Sequence, residues 1–141
     1  MDIKVYDRLP SEAFDIRITV FVDEQGFVDE VDDIDNIATH LVMFDNDRAI
    51  ATCRIFEGEN KKEYILGRLC VLSSYRGRGL GGEMLKAAER AAAKKGGEVL
   101  ALHSQYQARE FYANHGYCEV GELEYEQDCP HIWMKKSLLD K

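Results

Sequence analysis

The chain has 141 residues, 45% of them hydrophobic, and a formal net charge of −8 from 26 acidic and 18 basic side chains. That length is one ordinary domain, residues 1–141, which buries roughly two-thirds of its unfolded surface and needs no disulfide or structural metal to hold a core. The acidic balance speaks against nucleic acid, whose phosphates call for Lys and Arg, and against an anionic membrane surface; it suits a soluble surface or a cationic amine partner.

Ile3 to Tyr6 predicts a short first strand. After Leu9-Pro10, Ser11 is an N-cap candidate, and Phe14, Ile18, Phe21 and Val22 recur at helical spacing, so residues 12–24 predict an amphipathic helix. Residues 26–37 are acidic and interrupted by glycine, which predicts a loop holding at most a short helical turn. His40–Phe44 and Arg48–Phe56 flank Asp45-Asn46-Asp47 and predict an antiparallel hairpin. Gly58-Glu59-Asn60 marks the next turn, and Tyr64–Leu72 a third strand of the run.

The pattern then changes. Residues 80–95 are rich in alanine and charge, with Leu80, Met84, Ala88, Ala91 and Ala92 on one face, and Gly96-Gly97 stops the helix behind Lys94 and Lys95. Val99–Leu102 predicts a buried strand, Tyr106–Asn114 a short helix closed by His115-Gly116, and Tyr117–Val120 and His131–Lys135 two last strands. The order β-α-β-β-β-α-β-α-β-β, with antiparallel strands early and a βαβ unit in the middle, is an α+β fold around a mixed sheet.

Cys53, Cys70, Cys118 and Cys129 form no C-x-x-C pair, and the first two lie in apolar runs where cysteine acts as a small hydrophobe. The opening Met1-Asp2-Ile3-Lys4 is not a leader pattern, and no apolar run approaches the ~20 residues of a membrane span. A reducing cytoplasm is the expected compartment. Cys118, Cys129, His115 and His131 lack a standard metal-ligand spacing, so no metal is expected.

The sharpest chemical signal runs from Leu69 to Gly82. A predicted strand enters Arg76-Gly77-Arg78-Gly79-Leu80-Gly81-Gly82, and that loop opens a helix. Glycine lets backbone N–H groups approach a phosphate, the helix N-terminus adds partial positive charge, and Arg76 and Arg78 supply charge-assisted donors. Gly77, Gly79 and Gly82 formally satisfy G-x-G-x-x-G. The dinucleotide fingerprint, however, wants an acidic residue at the end of the following strand, and here that strand ends at His103-Ser104. No Gly-Lys-Ser/Thr follows, which excludes a P-loop. A plain turn rarely holds four glycines and two arginines in seven residues, so a pyrophosphate cradle is the better reading.

Arg76-Gly77-Arg78-Gly79-Leu80-Gly81 resembles the R/Q-x-x-G-x-G/A motif of the GNAT acetyltransferases, and Phe111-Tyr112-Ala113-Asn114-His115-Gly116-Tyr117 resembles their F-Y-x-x-x-G-F motif. The resemblance covers nearly the whole chain. Arg17, Val20-Phe21-Val22, Glu24-Gln25, Glu30-Val31-Asp32, Asp35 and His40 are similar to the ElaA-type branch. The family implies a mixed, mostly antiparallel sheet flanked by helices, with a central splayed parallel pair holding the pantetheine arm of acetyl-CoA. Carried over, Leu69, Cys70 and Val71 run along that arm, with backbone groups of Leu69 and Val71 bonding it. Residues Arg76, Gly77, Arg78, Gly79, Leu80, Gly81 and Gly82 hold the pyrophosphate, and Gln105 ends the opposing strand near the cofactor.

The family's reaction is direct attack of a primary amine on the thioester. A lysine-like amine, with an ordinary pKa of ~10.4, must lose a proton, the carbonyl oxygen needs a donor, and the thiolate needs a proton. The resemblance puts Tyr112 at the proton-donor position and makes the Val71 N–H the oxyanion candidate. Glu24, His40, Glu126 and His131 are candidates for the base, with a satisfied structural role as the alternative for each. Glu24 is favoured, in catalysis and with Gln25 and His131 in acceptor binding. Asp32 and Asp35 read as solvated or as attracting a cation. A CoA-binding sensor or interaction module without turnover is the alternative. Homodimers are common in the family, and nothing in this sequence decides that point.

Overall fold

Residues 1–27 and 31–139 are described in the computed structural model, and their strands form a seven-stranded sheet. The elements are β1 (Asp2–Tyr6), α1 (Ser11–Arg17), β2 (Thr39–Asp45), β3 (Arg48–Glu57), β4 (Glu63–Val71), α2 (Leu80–Lys94), β5 (Val99–Gln105), α3 (Arg109–Ala113), β6 (Cys118–Glu126) and β7 (Cys129–Ser137). Their order matches the predicted one. The sheet runs β1-β2-β3-β4-β5-β7-β6, antiparallel throughout except for the parallel β4–β5 pair that α2 connects. Val28, Asp29 and Glu30, in the predicted 26–37 loop, lie outside the described residues.

Strand alternation divides the core between two faces of the sheet. Leu41 and Met43 of β2 join α2 residues Leu80, Met84, Leu85, Ala88 and Ala92 on one side. Val42 and Phe44 join Ala13, Ile16, Val20 and Phe21 on the other. Helix α2 ends as its sequence predicts: Gly96 adopts φ +94° and the Gly97 N–H bonds the Ala92 carbonyl at 2.8 Å.

The first helix differs from expectation. Pro10, not Ser11, occupies the cap position in an extended conformation, and no side chain caps the helix. The Ser11 hydroxyl instead donates to Glu12 at 3.3 Å. After Arg17 the backbone widens into a π-helical stretch, Ile18–Glu24. Ala13, Ile16, Arg17, Val20 and Phe21 are buried, while Phe14, ahead of the widened stretch, stays 37% exposed. The predicted helix 106–114 is a 3-10 turn, Tyr106–Ala108, followed by α3.

The last hairpin is longer than predicted. Strand β6 runs on to Glu126 with every residue exposed, and Tyr117 lies before it, buried under α2. An edge strand with neither face covered carries no apolar alternation for a sequence to show.

Candidate active site

The site begins with an irregularity in β4. Register between β3 and β4 shifts between Arg54↔Gly67 and Thr52↔Cys70, so two residues of β4 oppose one of β3, and Arg68 takes φ +56°. That bulge bends β4 away from β5. Their pairing runs from Glu63↔Val99 to Leu66↔Leu102 and ends where the bulge begins. Beyond it Leu69, Cys70 and Val71 diverge from His103, Ser104 and Gln105. This is the splayed pair that the resemblance implied.

The glycine loop follows directly. Gly77 and Gly79 hold φ +82° and +75°, and a Cβ added to either would meet nothing within 4 Å. Their hydrogens therefore face open space at the start of α2. The first backbone bond of α2 joins the Glu83 N–H to the Gly79 carbonyl at 3.2 Å, so the N–H groups of Leu80, Gly81 and Gly82 belong to the unpaired first turn. These residues fit a pyrophosphate. Gly81 and Gly82 serve a second purpose: Cβ atoms there would lie 3.3 Å from the Phe111 ring and 2.6 Å from His115 Nε2. Their smallness lets α3 lean on the start of α2, which sets Tyr112 beside the splay.

The two arginines of the loop are held differently. Arg76 donates from Nε to the Val71 carbonyl at 2.9 Å and from Nη2 to Glu24 at 2.7 Å. Arg78 lies over the Tyr75 ring at 5.0 Å, and the Tyr75 hydroxyl is tied to Asp45 at 2.8 Å. Glu24 thus meets the loop through Arg76.

A cleft of about 430 Å³ opens at the splay. It gathers Gln25, Leu69, Gln105, Tyr112 and His131 from the predicted set, together with Glu126, and adds Arg54, Arg68, His103 and Trp133. Gln105 Nε2 donates to Gln25 Oε1 at 2.8 Å, and Gln107 donates to Gln105 at 2.6 Å. Burial pushes the Tyr112 hydroxyl well above its ordinary range, with the Cys53 and Cys70 thiols nearby acting in the same direction. Tyr112 therefore keeps its proton at neutral pH. Cys53, wholly buried, is raised to about 12 by desolvation and stays a thiol.

Asp32, Asp35 and His40 belong to one network, in which the cations drawn by the two aspartates are arginines. Asp35 is 3% exposed and paired, not solvated. Arg17 donates to its two oxygens at 2.8 and 2.9 Å, and Arg54 adds a third bond at 2.9 Å. Arg54 also reaches Asp32 at 2.7 and 3.1 Å, and Arg68 approaches Asp32 at 3.4 Å. Burial alone would raise the Asp35 carboxyl, but the Arg17 and Arg54 hydrogen bonds outweigh it and hold it well below the usual range. His40 is buried behind this network and donates from Nε2 to the Asp35 carbonyl at 3.1 Å; burial lowers its pKa. It does not line the cleft. Among the described residues, no three His, Cys, Asp or Glu groups are arranged to hold a metal ion.

His103 was missed at the sequence level. Its neighbours arrive from β6 and β7, more than twenty residues away, and a lone histidine near the end of a strand carries no spacing signal.

The "Acetyltransferase (GNAT) domain" family model matches residues 13–138. The uncharacterized N-acetyltransferase YjcF of Bacillus subtilis is 38% identical over 130 residues, 89% of this chain and 90% of that protein. A crystal structure of a proposed N-acetyltransferase from Lactobacillus plantarum superposes with a TM-score of 0.87 at 30% identity, covering 99% of this chain and 100% of the other. Escherichia coli ElaA superposes with a TM-score of 0.84 at 25% identity, covering 96% and 98%. With the bulged β4, the parted β4–β5 pair and the open glycine loop already in place, these matches make the chain a member of the GNAT acetyltransferase family.

Proposed function

We propose that this acyltransferase moves the acetyl group of acetyl-CoA to a primary amine by direct attack of the amine on the thioester. The observation that carries the reading is the parting of β4 and β5 between the open glycine loop and the Tyr112 cleft. The loop residues Gly77–Gly82 take the pyrophosphate with Arg76 and Arg78, and Leu69, Cys70 and Val71 line the arm, with Gln105 opposite. Bound there, acetyl-CoA supplies the activated acetyl group. The Val71 N–H serves the carbonyl oxygen as charge develops on it. Tyr112, which keeps its proton, gives it to the departing sulfur. Gln25 and His131 contact the acceptor in the cleft, and Glu24 supports this arrangement through Arg76. The Tyr112 side chain lining the cleft at the splay favours turnover over a CoA-binding module without chemistry.

The same reading places the protein in the cytoplasm, as one domain; the free buried thiols of Cys53 and Cys70 support a reducing compartment. A homodimer belongs to it too, supported by the sheet edge that β6 leaves open among the described residues.

Calorimetric titration with acetyl-CoA, with NADH and ATP as controls, tests the reading. Binding of acetyl-CoA alone, at about micromolar Kd, is expected. Preference for NADH, or no binding of acetyl-CoA, would overturn it.

A further inference from the structure

Register places an unusual set of side chains on one face of the sheet. His103 of β5 lies opposite Trp133 of β7, and Gln105 lies opposite His131. On the other side of β7, Glu124 lies opposite His131 and Glu126 opposite Cys129. The β6–β7 register shifts between Val120 and Glu124, and the bulge brings both glutamates onto the His103 side.

The contacts follow from that placement. His103 Nδ1 donates to Glu126 Oε2 at 2.6 Å, a charge-assisted distance. Its Nε2 is buried, makes no hydrogen bond, and lies 3.4 Å from Glu124 Oε1. The imidazole stacks on Trp133 at 4.7 Å and leans toward His131 at 4.9 Å. His131 is committed elsewhere: its Nδ1 donates to the Cys129 carbonyl at 2.9 Å, and its Nε2 stands 3.8 Å from Glu126. The His103 side chain is 17% exposed, whereas Glu124 and Glu126 are 60% and 54% exposed. The imidazole therefore sits under two accessible carboxylates, with its Nε2 facing one of them.

We propose that His103 stores the proton lost by the acceptor ammonium, receiving it through Glu124 and holding it against Glu126. This deepens the amine-transfer reading above and rests on it. The ammonium N–H bond breaks and leaves its electron pair on nitrogen. The proton passes to the Glu124 carboxylate and on to His103 Nε2, and the imidazole becomes an imidazolium flanked by two carboxylates. The freed pair forms the new N–C bond, the thioester C–S bond breaks, the sulfur takes the Tyr112 proton, and the second proton of the attacking nitrogen, shed as the amide forms, restores the Tyr112 hydroxyl. His103 acts through Glu124 and does not itself touch the acceptor. Of the charged and titratable groups around it, Glu126 from β6 and His131 from β7 line the cleft with Asp32, Arg54, Arg68 and Tyr112, and Glu124 from β6 approaches His103 from beside that lining.

Trp133 is the single tryptophan of the chain, so its emission reports on this cluster alone. Imidazolium quenches a stacked indole, so emission should fall as His103 gains its proton. The expected results are a sigmoidal loss of emission with falling pH in the unaltered protein, no such transition in His103→Gln, and a midpoint lower by about one pH unit in Glu126→Gln. A transition that survives His103→Gln, or an unmoved midpoint in Glu126→Gln, would overturn the pairing. Thermal melting and acetyl-CoA affinity check that each variant folds and binds, and Glu124→Gln, altered only at an exposed side chain, provides a second variant. Thiol release from acetyl-CoA is then followed against pH with n-butylamine, spermidine and glucosamine. The break in kcat/KM should coincide with the Trp133 midpoint and move with it in Glu126→Gln, while acetyl-CoA affinity stays unchanged. A kinetic break that stays put while the emission midpoint moves overturns the proton-store role. If acetyl-CoA binds and Trp133 titrates as expected but no amine releases thiol, the transfer reading falls and takes that role with it.

Discussion

Arg17 and Asp35 meet through two parallel hydrogen bonds of 2.8 and 2.9 Å, with both side chains almost wholly buried. The fork ties the end of α1 to the turn before β2. Arg54 shares the same carboxylate and carries the tie across to β3, next to the β4 bulge that opens the cleft.

Removing one partner should therefore cost more than the pair contributes. Asp35→Asn leaves the guanidiniums of Arg17 and Arg54 buried without their shared counter-charge. Loss of about 3–5 kcal/mol is expected, in the range found when buried pairs are broken. Urea unfolding of the variant beside the unaltered protein measures it; a change below about 1 kcal/mol would mean water or a neighbouring carboxylate compensates.

The same network predicts how stability depends on pH. Asp35 holds its charge in the folded state to lower pH than its ordinary 3.8, so the unfolded chain takes up that proton first as pH falls. The stability it contributes is present above about pH 4 and is lost as pH drops further. His40 adds an earlier onset. Its folded pKa lies below 6.5, so the unfolded state gains a proton first as pH falls through that value. Urea midpoints should decline gently below about pH 6.5 and steeply below about pH 4. A flat profile over that span would contradict both assignments.

The two ends of α2 provide a matched comparison for the cradle. Gly79 and Gly96 hold φ +75° and +94°, and an added Cβ would meet nothing within 4 Å at either. Alanine at each position should destabilise the protein similarly, by about 1–2 kcal/mol. Only Gly79→Ala puts a methyl group where the pyrophosphate is proposed to lie, so only it should weaken acetyl-CoA binding, by about tenfold or more, which is 1.4 kcal/mol. Equal affinity in the two variants would remove Gly79 from the site.

Tyr112→Phe removes a hydroxyl that burial keeps protonated. The expected effect is a fall in kcat of about 10²-fold, the usual scale of a lost general acid, with acetyl-CoA affinity unchanged. An unaltered kcat under saturating acetyl-CoA would take Tyr112 out of the proton transfer.

Much of this molecule is determined locally. The 3.6-residue stripe of α2, its glycine stop, the two-residue alternation of β2 and β3, and the glycine-rich run before α2 are each set by neighbours along the chain, and each could be read from the sequence. So could Tyr112, because its motif is contiguous. The tertiary structure decided the rest. Arg17 and Asp35 are 18 residues apart and Gln25 and Gln105 are 80 apart, and no short-range pattern reports such pairings. Which face of α1 is buried answers to its packing against β2, β3 and β4, and that packing leaves Phe14 toward solvent. The far half of β6 is defined only by its bonds to β7. His103 becomes a candidate for proton storage only when the β5–β7–β6 register sets Trp133 against its ring and two carboxylates about its nitrogens. Local periodicity selects elements because each residue's preference adds to its neighbours' along the chain. The chemistry of the cleft depends on distances between strands, which only their pairing defines.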